Sequence, residues 1–252
     1  MKTNRVKDLL RNGEMTVGAW VTIGNPDIAE MLAHKGFDWL VFDMEHGPLD
    51  IEKVQLLMQT SGGTETTGLV RVAWNDLVAI KRALDIGAAG LIIPWVNSSE
   101  DAVRAVQAAR YPPRGLRGAG PRRAAMYGLD REYIAEADAW IMILVQIETT
   151  QAVESAESIL KVDGVDGFFI GPRDLSVSMG LGGKRDHPDL EKAIDKVLST
   201  GKRLGVEGGI MCHTPGEIKS AVEKGFKFIA VGADYDYLMW GADIALKAAG
   251  RG

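Results

Sequence analysis

One pattern constrains this chain more than any other. Short aliphatic runs bounded by Gly, Pro, Asn or Asp alternate with longer amphipathic stretches, eight times over. The runs lie at 17–23, 39–43, 69–72, 90–94, 141–147, 167–171, 206–211 and 228–232. Each is nearly continuous in apolar residues, as expected of strands in a parallel sheet covered by helices on its outer face. Helical patterns fill the intervals at 26–35, 51–60, 77–86, 100–110, 152–160, 190–204, 215–224 and 237–248. In Leu77, Ile80, Lys81 and Leu84 the spacing of three and four gives a helix one buried face. Strand then helix, repeated through 252 residues, predicts an α/β fold, a single (β/α)8 TIM barrel domain over 1–252. A further helix at 6–11 is expected to plug the bottom. The rival doubly wound sheet normally carries a Gly-rich turn after its first strand, and Val21-Thr-Ile-Gly-Asn-Pro26 holds one glycine.

Charge narrows the partners. With 29 Lys+Arg against 34 Asp+Glu, the chain has no general basic field, which argues against nucleic acid or an anionic membrane as its main partner. Cys212 is the one cysteine, so an internal disulfide and a cysteine-rich zinc site are excluded and a reducing compartment fits. No apolar run approaches the roughly 20 residues of a spanning helix. The opening MKTNRVKDLLRNGE has no signal-peptide core, so a cytoplasmic location is expected. One segment breaks the rhythm: residues 111–139 form a long connection carrying Arg114, Arg117, Arg122 and Arg123. Two readings stand side by side, a solvated loop or subunit contact, and a lid that draws anionic substrate to the barrel mouth.

Active sites of such barrels lie at the carboxyl ends of the strands. Those ends here carry Asp43-Met-Glu45-His46-Gly47, Arg71, Pro94-Trp95, Gln146-Ile-Glu148, Gly171-Pro-Arg173-Asp174, Cys212-His213 and Gly232-Ala-Asp234, with Asp85 from the helix before the fourth strand. Glu148 and Asp174, on neighbouring strand tips, suit a hard octahedral ion such as Mg²⁺, Mn²⁺ or Co²⁺. Taken singly, each could instead cap the helix that follows it. His46 titrates near neutrality and fits a general acid or base, with Asp85 or Asp43 to fix its tautomer; a satisfied structural histidine is the plainer alternative. A guanidinium at the tip of strand three needs an anion, which for Arg71 is either a substrate oxygen or a pair with Asp43 or Glu45. Cys212-His213 suggests a nucleophile pair, but adjacent strand residues face opposite ways, so a small buried cysteine is the better reading.

Taken in order, Phe42-Asp-Met-Glu-His-Gly-Pro48, Val70-Arg71-Val72, Leu84-Asp85, Tyr111-Pro-Pro-Arg-Gly-Leu-Arg-Gly118, Gln146-Ile-Glu148 and Gly171-Pro-Arg-Asp-Leu-Ser176 resemble the HpcH/HpaI family of class II pyruvate aldolases, in the phosphoenolpyruvate/pyruvate barrel superfamily. The likeness runs from about Trp20 to about Gly232. It implies a divalent-metal-dependent lyase joining or releasing pyruvate and an aldehyde through an enolate, with 4-hydroxy-2-oxo acids of the heptanedioate or 2-keto-3-deoxy sugar acid type as substrates. It also implies a homo-hexamer of dimers that exchange their last helix. In that scheme Glu148 and Asp174 hold the metal, Arg71 contacts the pyruvate oxygen, and His46 moves the proton with Asp85 orienting it. Trp20 and Gln146 line the pocket, and the backbone amides of Arg173 and Asp174 hold the carboxylate. Arg173 departs from the small residue of many relatives, which alters the acceptor pocket if its side chain points inward. Three rivals remain: a Schiff-base aldolase needing a lysine inside the barrel, a CoA-thioester lyase with a larger basic mouth, and a non-catalytic metabolite-binding barrel.

Overall fold

The computed structural model describes residues 4–251. Its strands are β1 (Thr16–Val21), β2 (Trp39–Asp43), β3 (Thr67–Arg71), β4 (Gly90–Ile93), β5 (Met142–Ile147), β6 (Gly167–Ile170), β7 (Glu207–Met211) and β8 (Phe228–Ala233). All pair in parallel, in sequence order, and β8 returns to β1 to close the barrel. The helices are α1 (Arg5–Arg11), α2 (Pro26–Ala33), α3 (Ile51–Thr60), α4 (Leu77–Asp85), α5 (Ser99–Ala109), α6 (Tyr133–Trp140), α7 (Thr150–Glu154), α8 (Ala156–Leu160), α9 (Pro172–Ser178), α10 (Pro188–Leu204), α11 (Pro215–Lys224) and α12 (Asp234–Ala248). Capping explains many of the starts. Asn25, Asp50, Asp76, Ser98, Thr149 and Thr214 each accept a backbone N–H of the first turn. Gly205 and Gly225 end α10 and α11 in the left-handed conformation.

Two apolar clusters divide the core. Outward strand residues such as Phe42, Val70, Ile143 and Phe168 pack beneath the helices. Trp20, Trp39, Val41, Leu69, Ile92, Leu144, Phe169 and Phe228 fill the lumen. Trp39 stacks on Phe228 with centroids 3.8 Å apart, and Gly18 leaves space for the indole that any Cβ would invade. As expected, α1 plugs the bottom. Val6 and Leu10 join the lumen cluster, while Asn4 donates to Ala89 O and Trp140 O, both at 2.8 Å. Lys7 Nζ reaches Ile141 O at 2.7 Å, just before β5 begins.

Most elements match the sequence reading to within two residues, and the larger or more telling differences are these. β1 stops at Val21 because Asn25 already caps α2. The expected helix at 152–160 is broken at Ser155, whose φ/ψ of −88°/0° separates α7 from α8. The last helix starts at Asp234 and not at 237. The long connection at 111–139 contains α6, whose buried Tyr133, Ala137 and Trp140 keep the helical spacing of four and three.

Candidate active site

Side-chain alternation decides what reaches the mouth. Trp39, Val41 and Asp43 of β2 face the lumen, as do Leu69 and Arg71 of β3 and Met142, Leu144 and Gln146 of β5. The last lumen-facing residues of the strands other than β4 therefore open on the carboxyl-terminal mouth, where a cavity of about 880 Å³ lies. Trp20, Asp43, His46, Arg71, Gln146, Phe169, Arg173 and Asp174 line it. Six of the eight residues expected at the site, Trp20, His46, Arg71, Gln146, Arg173 and Asp174, share this one cavity.

Register builds the central ion pair. Asp43 and Arg71 are direct partners across β2 and β3. Arg71 Nε and Nη2 donate to the two carboxylate oxygens of Asp43 at 2.9 and 2.6 Å. Nη1 lies 2.9 Å from Glu45. The alternative that Arg71 pairs with Asp43 or Glu45 is thus realised with both, and the guanidinium still lines the cavity. Asp43 also accepts the amides of Glu45 and His46, so one carboxylate shapes the turn and clamps the arginine.

Glu148 sits one residue beyond the Ile147–Ile170 pair, beside Gly171. Its Oε1 accepts the Trp95 N–H at 2.8 Å, and Oε2 accepts Gln146 Nε2 in a short hydrogen bond. Trp95 holds φ at +56°, a conformation that costs a non-glycine residue of order 1 kcal/mol and aims its amide at the carboxylate. A Cβ on Gly171 would come within 3.3 Å of Glu148 Oε2, so only glycine leaves that oxygen free space. Burial, opposed by the Trp95 amide and reinforced by the charges of Glu45 and Asp174, pushes Glu148 up to about 7. Glu45 is pushed to about 7 by burial first, with Arg71 opposing and Asp43 and Asp174 adding.

Glu45, Glu148 and Asp174 thus repel one another with too little local positive charge, the condition a bound cation relieves. Gln146 Oε1 is buried with no partner and adds a neutral oxygen. Among the described residues no three His, Cys, Asp or Glu side chains close a metal site. Two carboxylates with open positions suit a hard divalent ion that also takes substrate and water oxygens. The residues present fit such an ion.

Several expectations change. Within the chain Asp85 does not reach His46: it ends α4 five residues before β4, at the opposite end of the barrel, and accepts Arg117 Nη2 at 2.8 Å. Asp43 does not hold the imidazole either, since both its oxygens serve Arg71 and backbone amides. His46 is therefore exposed at the mouth with no side-chain partner among the described residues. The segment 111–139 is no lid of its own barrel. Arg117 is spent on Asp85 and Tyr133, and Arg123 on Ile86 O and Met58 O, all away from the cavity. Among the described residues no lysine lines the cavity, and Lys227 precedes β8 at the closed end. Cys212 is buried in the outer core with its thiol pushed up to about 12 by burial, whereas its neighbour His213 faces the cavity. The dismissed pair thus hid a real lining residue. His213 Nδ1 lies 2.7 Å from Asp236, a contact no local motif announces.

The fold and this mouth define a (β/α)8 barrel with carboxylates and an arginine gathered where such barrels perform chemistry. The chain belongs to the HpcH/HpaI aldolase/citrate lyase family, whose model matches residues 16–239. It is 42% identical to the hydroxypyruvate/pyruvate aldolase of Sagittula stellata over 92% of each chain. It is 40% identical to the 4-hydroxy-2-oxo-heptane-1,7-dioate aldolase of Salmonella dublin, over 95% of this chain and 92% of that one. A crystal structure of a family member from Burkholderia cenocepacia superposes with a TM-score of 0.96 at 37% identity, covering 98% of this chain and 99% of that one. Among the described residues no helix is long and apolar enough to cross a membrane.

Proposed function

We propose that this enzyme reversibly cleaves 4-hydroxy-2-oxo acids to pyruvate and an aldehyde, using a divalent ion held by Glu148 and Asp174. The observation that carries this reading is that Glu45, Glu148 and Asp174 repel one another beside Arg71, where Arg71 and Asp174 line the mouth cavity. The names of the Sagittula and Salmonella relatives support the substrate class. Mg²⁺, Mn²⁺ and Co²⁺ all match the oxygen donor set.

When bound, the ion supplies Lewis-acid polarisation of the keto group, favouring the pyruvate enolate. Arg71 keeps its positive charge because Asp43 and Glu45 outweigh its burial, and it turns that charge toward the developing enolate oxygen. Trp20 and Phe169, with ring centroids 4.9 Å apart, form an apolar floor that excludes water beneath the three-carbon unit. Gln146, tied to Glu148, lines the same space and carries a buried Oε1 with no partner. His46 takes the C4 hydroxyl proton in cleavage and the methyl proton in condensation. A cavity with no lysine among its described lining residues speaks for this reading over a Schiff base, and a basic segment turned away from the mouth speaks against a CoA-thioester. For assembly, α12 supports a homo-oligomer, of which the hexamer with exchanged last helices is the form proposed. Leu238, Met239 and Ile244 are 58%, 60% and 70% exposed on it.

The test is exchange of pyruvate methyl protons with D2O, followed by NMR. Exchange should require added Mg²⁺, Mn²⁺ or Co²⁺ and vanish in EDTA and in Glu148→Gln. Exchange that survives EDTA, or that borohydride halts by trapping an adduct, would overturn the metal assignment.

A further inference from the structure

We infer that Arg173 makes the outer end of the mouth cavity a binding site for an anionic tail on the aldehyde half of the substrate. The inference rests on the aldolase reading and deepens it, by naming the chemical class of the acceptor.

The cavity has two unlike ends. At its inner end Asp43, Arg71 and Asp174 line the space, with Glu45 2.9 Å from Arg71, a set that fits a cation and the oxo-acid head. At about 880 Å³ the space falls within the roughly 300–1,000 Å³ of sites for ligands well larger than pyruvate. The remainder extends outward between the loop after α9 and the tips of β7 and β8. Gly182 and Gly183 supply no side chains there, and Gly183 lies against the Arg173 stem, with its Cβ position 4.0 Å from Arg173 Cγ. Arg173 therefore forms part of the cavity wall.

What distinguishes Arg173 is that its charge is uncommitted. Arg71 is clamped by Asp43 and Glu45. Arg185 also lines the cavity, but its Nη2 is held by Met211 O at 2.8 Å and Glu217 at 3.2 Å. Asp236, a carboxylate residue that also lines the cavity, is occupied by the Ala233 amide at 2.9 Å and by His213. Arg173 has no hydrogen bond or ion pair with any described residue, although its charge is felt at the Tyr235 phenol across the cavity. A substrate with its oxo-acid head at the inner carboxylates must run its tail outward. An anionic tail is repelled at the inner end and meets a free guanidinium at the outer one, whose planar fork suits carboxylate or phosphate.

The experiment compares three acceptors in condensation with pyruvate: succinic semialdehyde, glyceraldehyde 3-phosphate, and the neutral butanal. Wild-type enzyme should prefer at least one anionic aldehyde over butanal by tenfold or more in kcat/KM, with the preference shrinking as ionic strength rises. In Arg173→Ala the ratio of anionic to neutral kcat/KM should fall at least tenfold, chiefly through the KM of the anionic aldehyde. Arg173→Lys should keep most of the ratio, and Arg173→Glu should reverse it. Because the readout is a ratio, a general loss of activity in a variant cancels. No wild-type preference for either anion, or a ratio unmoved in Arg173→Ala, overturns the inference. Methyl-proton exchange of pyruvate without any aldehyde tests the aldolase reading separately, so the two failures are distinguishable.

Discussion

Asp43→Asn is the most informative single change, because one carboxylate serves both the scaffold and the chemistry. Asparagine keeps the shape and one acceptor oxygen, but removes the charge and turns an NH2 donor toward a guanidinium that also only donates. Arg71 is 8% exposed and Asp43 1%, so the loss occurs in a desolvated setting. Removing one partner of a buried pair costs about 3–5 kcal/mol. Glu45, 2.9 Å from Arg71 Nη1, keeps a countercharge in place, so the lower end, about 3 kcal/mol, applies. At roughly 2–4 °C per kcal/mol for a chain of this size, Tm should fall by about 6–12 °C in scanning calorimetry. With Arg71 released from its bidentate clamp, kcat should fall by about 10²–10³, the scale for losing one oriented oxyanion donor. A Tm within about 2 °C of wild type would refute the reasoning about stability. A normal kcat alongside a lowered Tm would refute the claim that Asp43 positions Arg71 for the reaction.

Other outcomes follow from the same geometry. Glu45 and Glu148 titrate near 7 in the folded state against an ordinary 4.5, so the folded chain binds more protons than the unfolded chain between those values. Their contribution to stability is therefore full below about 4.5 and lost as pH rises through about 7; metal-free Tm should decline less over that window in Glu148→Gln than in wild type. Added Mg²⁺ should raise Tm more at pH 8 than at pH 5.5, and an equal rise at both would contradict the carboxylate site. Gly171→Ala brings a methyl within 3.1 Å of Gln146 Nε2 and 3.3 Å of Glu148, and should weaken Mn²⁺ binding at least tenfold while shifting Tm little; unchanged affinity counts against the site. Asp85→Asn should lower Tm, because Arg117 is fully buried and keeps few other partners, and an unshifted Tm would contradict that structural role.

The barrel was legible because strand and helix periods differ and eight repeats leave little freedom of topology. Within it, the carboxyl ends of the strands already put Arg71 and Gln146 at the mouth, and the family resemblance added Trp20. What sequence order does not tell is which end of a strand a loop residue serves. Asp85 stands near β4 in the chain but precedes it, so it belongs to the closed end and pairs with Arg117. The arginines of 111–139 look like a substrate trap only until their partners are known. Arg117 lies 4.5 Å from the Tyr111 ring and is bonded to Asp85 and Tyr133, forming part of the packing under α4. Glu45 was noticed only as a partner for Arg71, because its repulsion from Glu148 and Asp174 exists only once three strands are closed into a ring. His213 was set aside with Cys212, although the same alternation that parts the two turns one of them into the cavity.

The account stands on Glu148 and Asp174 sharing one cation. Diffraction from crystals soaked in Mn²⁺ and pyruvate, recorded at the manganese edge, tests this directly. A single anomalous peak per chain should lie about 2.0–2.2 Å from an oxygen of each carboxylate, and disappear in Glu148→Gln. A peak bound elsewhere, or one that persists unchanged in Glu148→Gln, would contradict it.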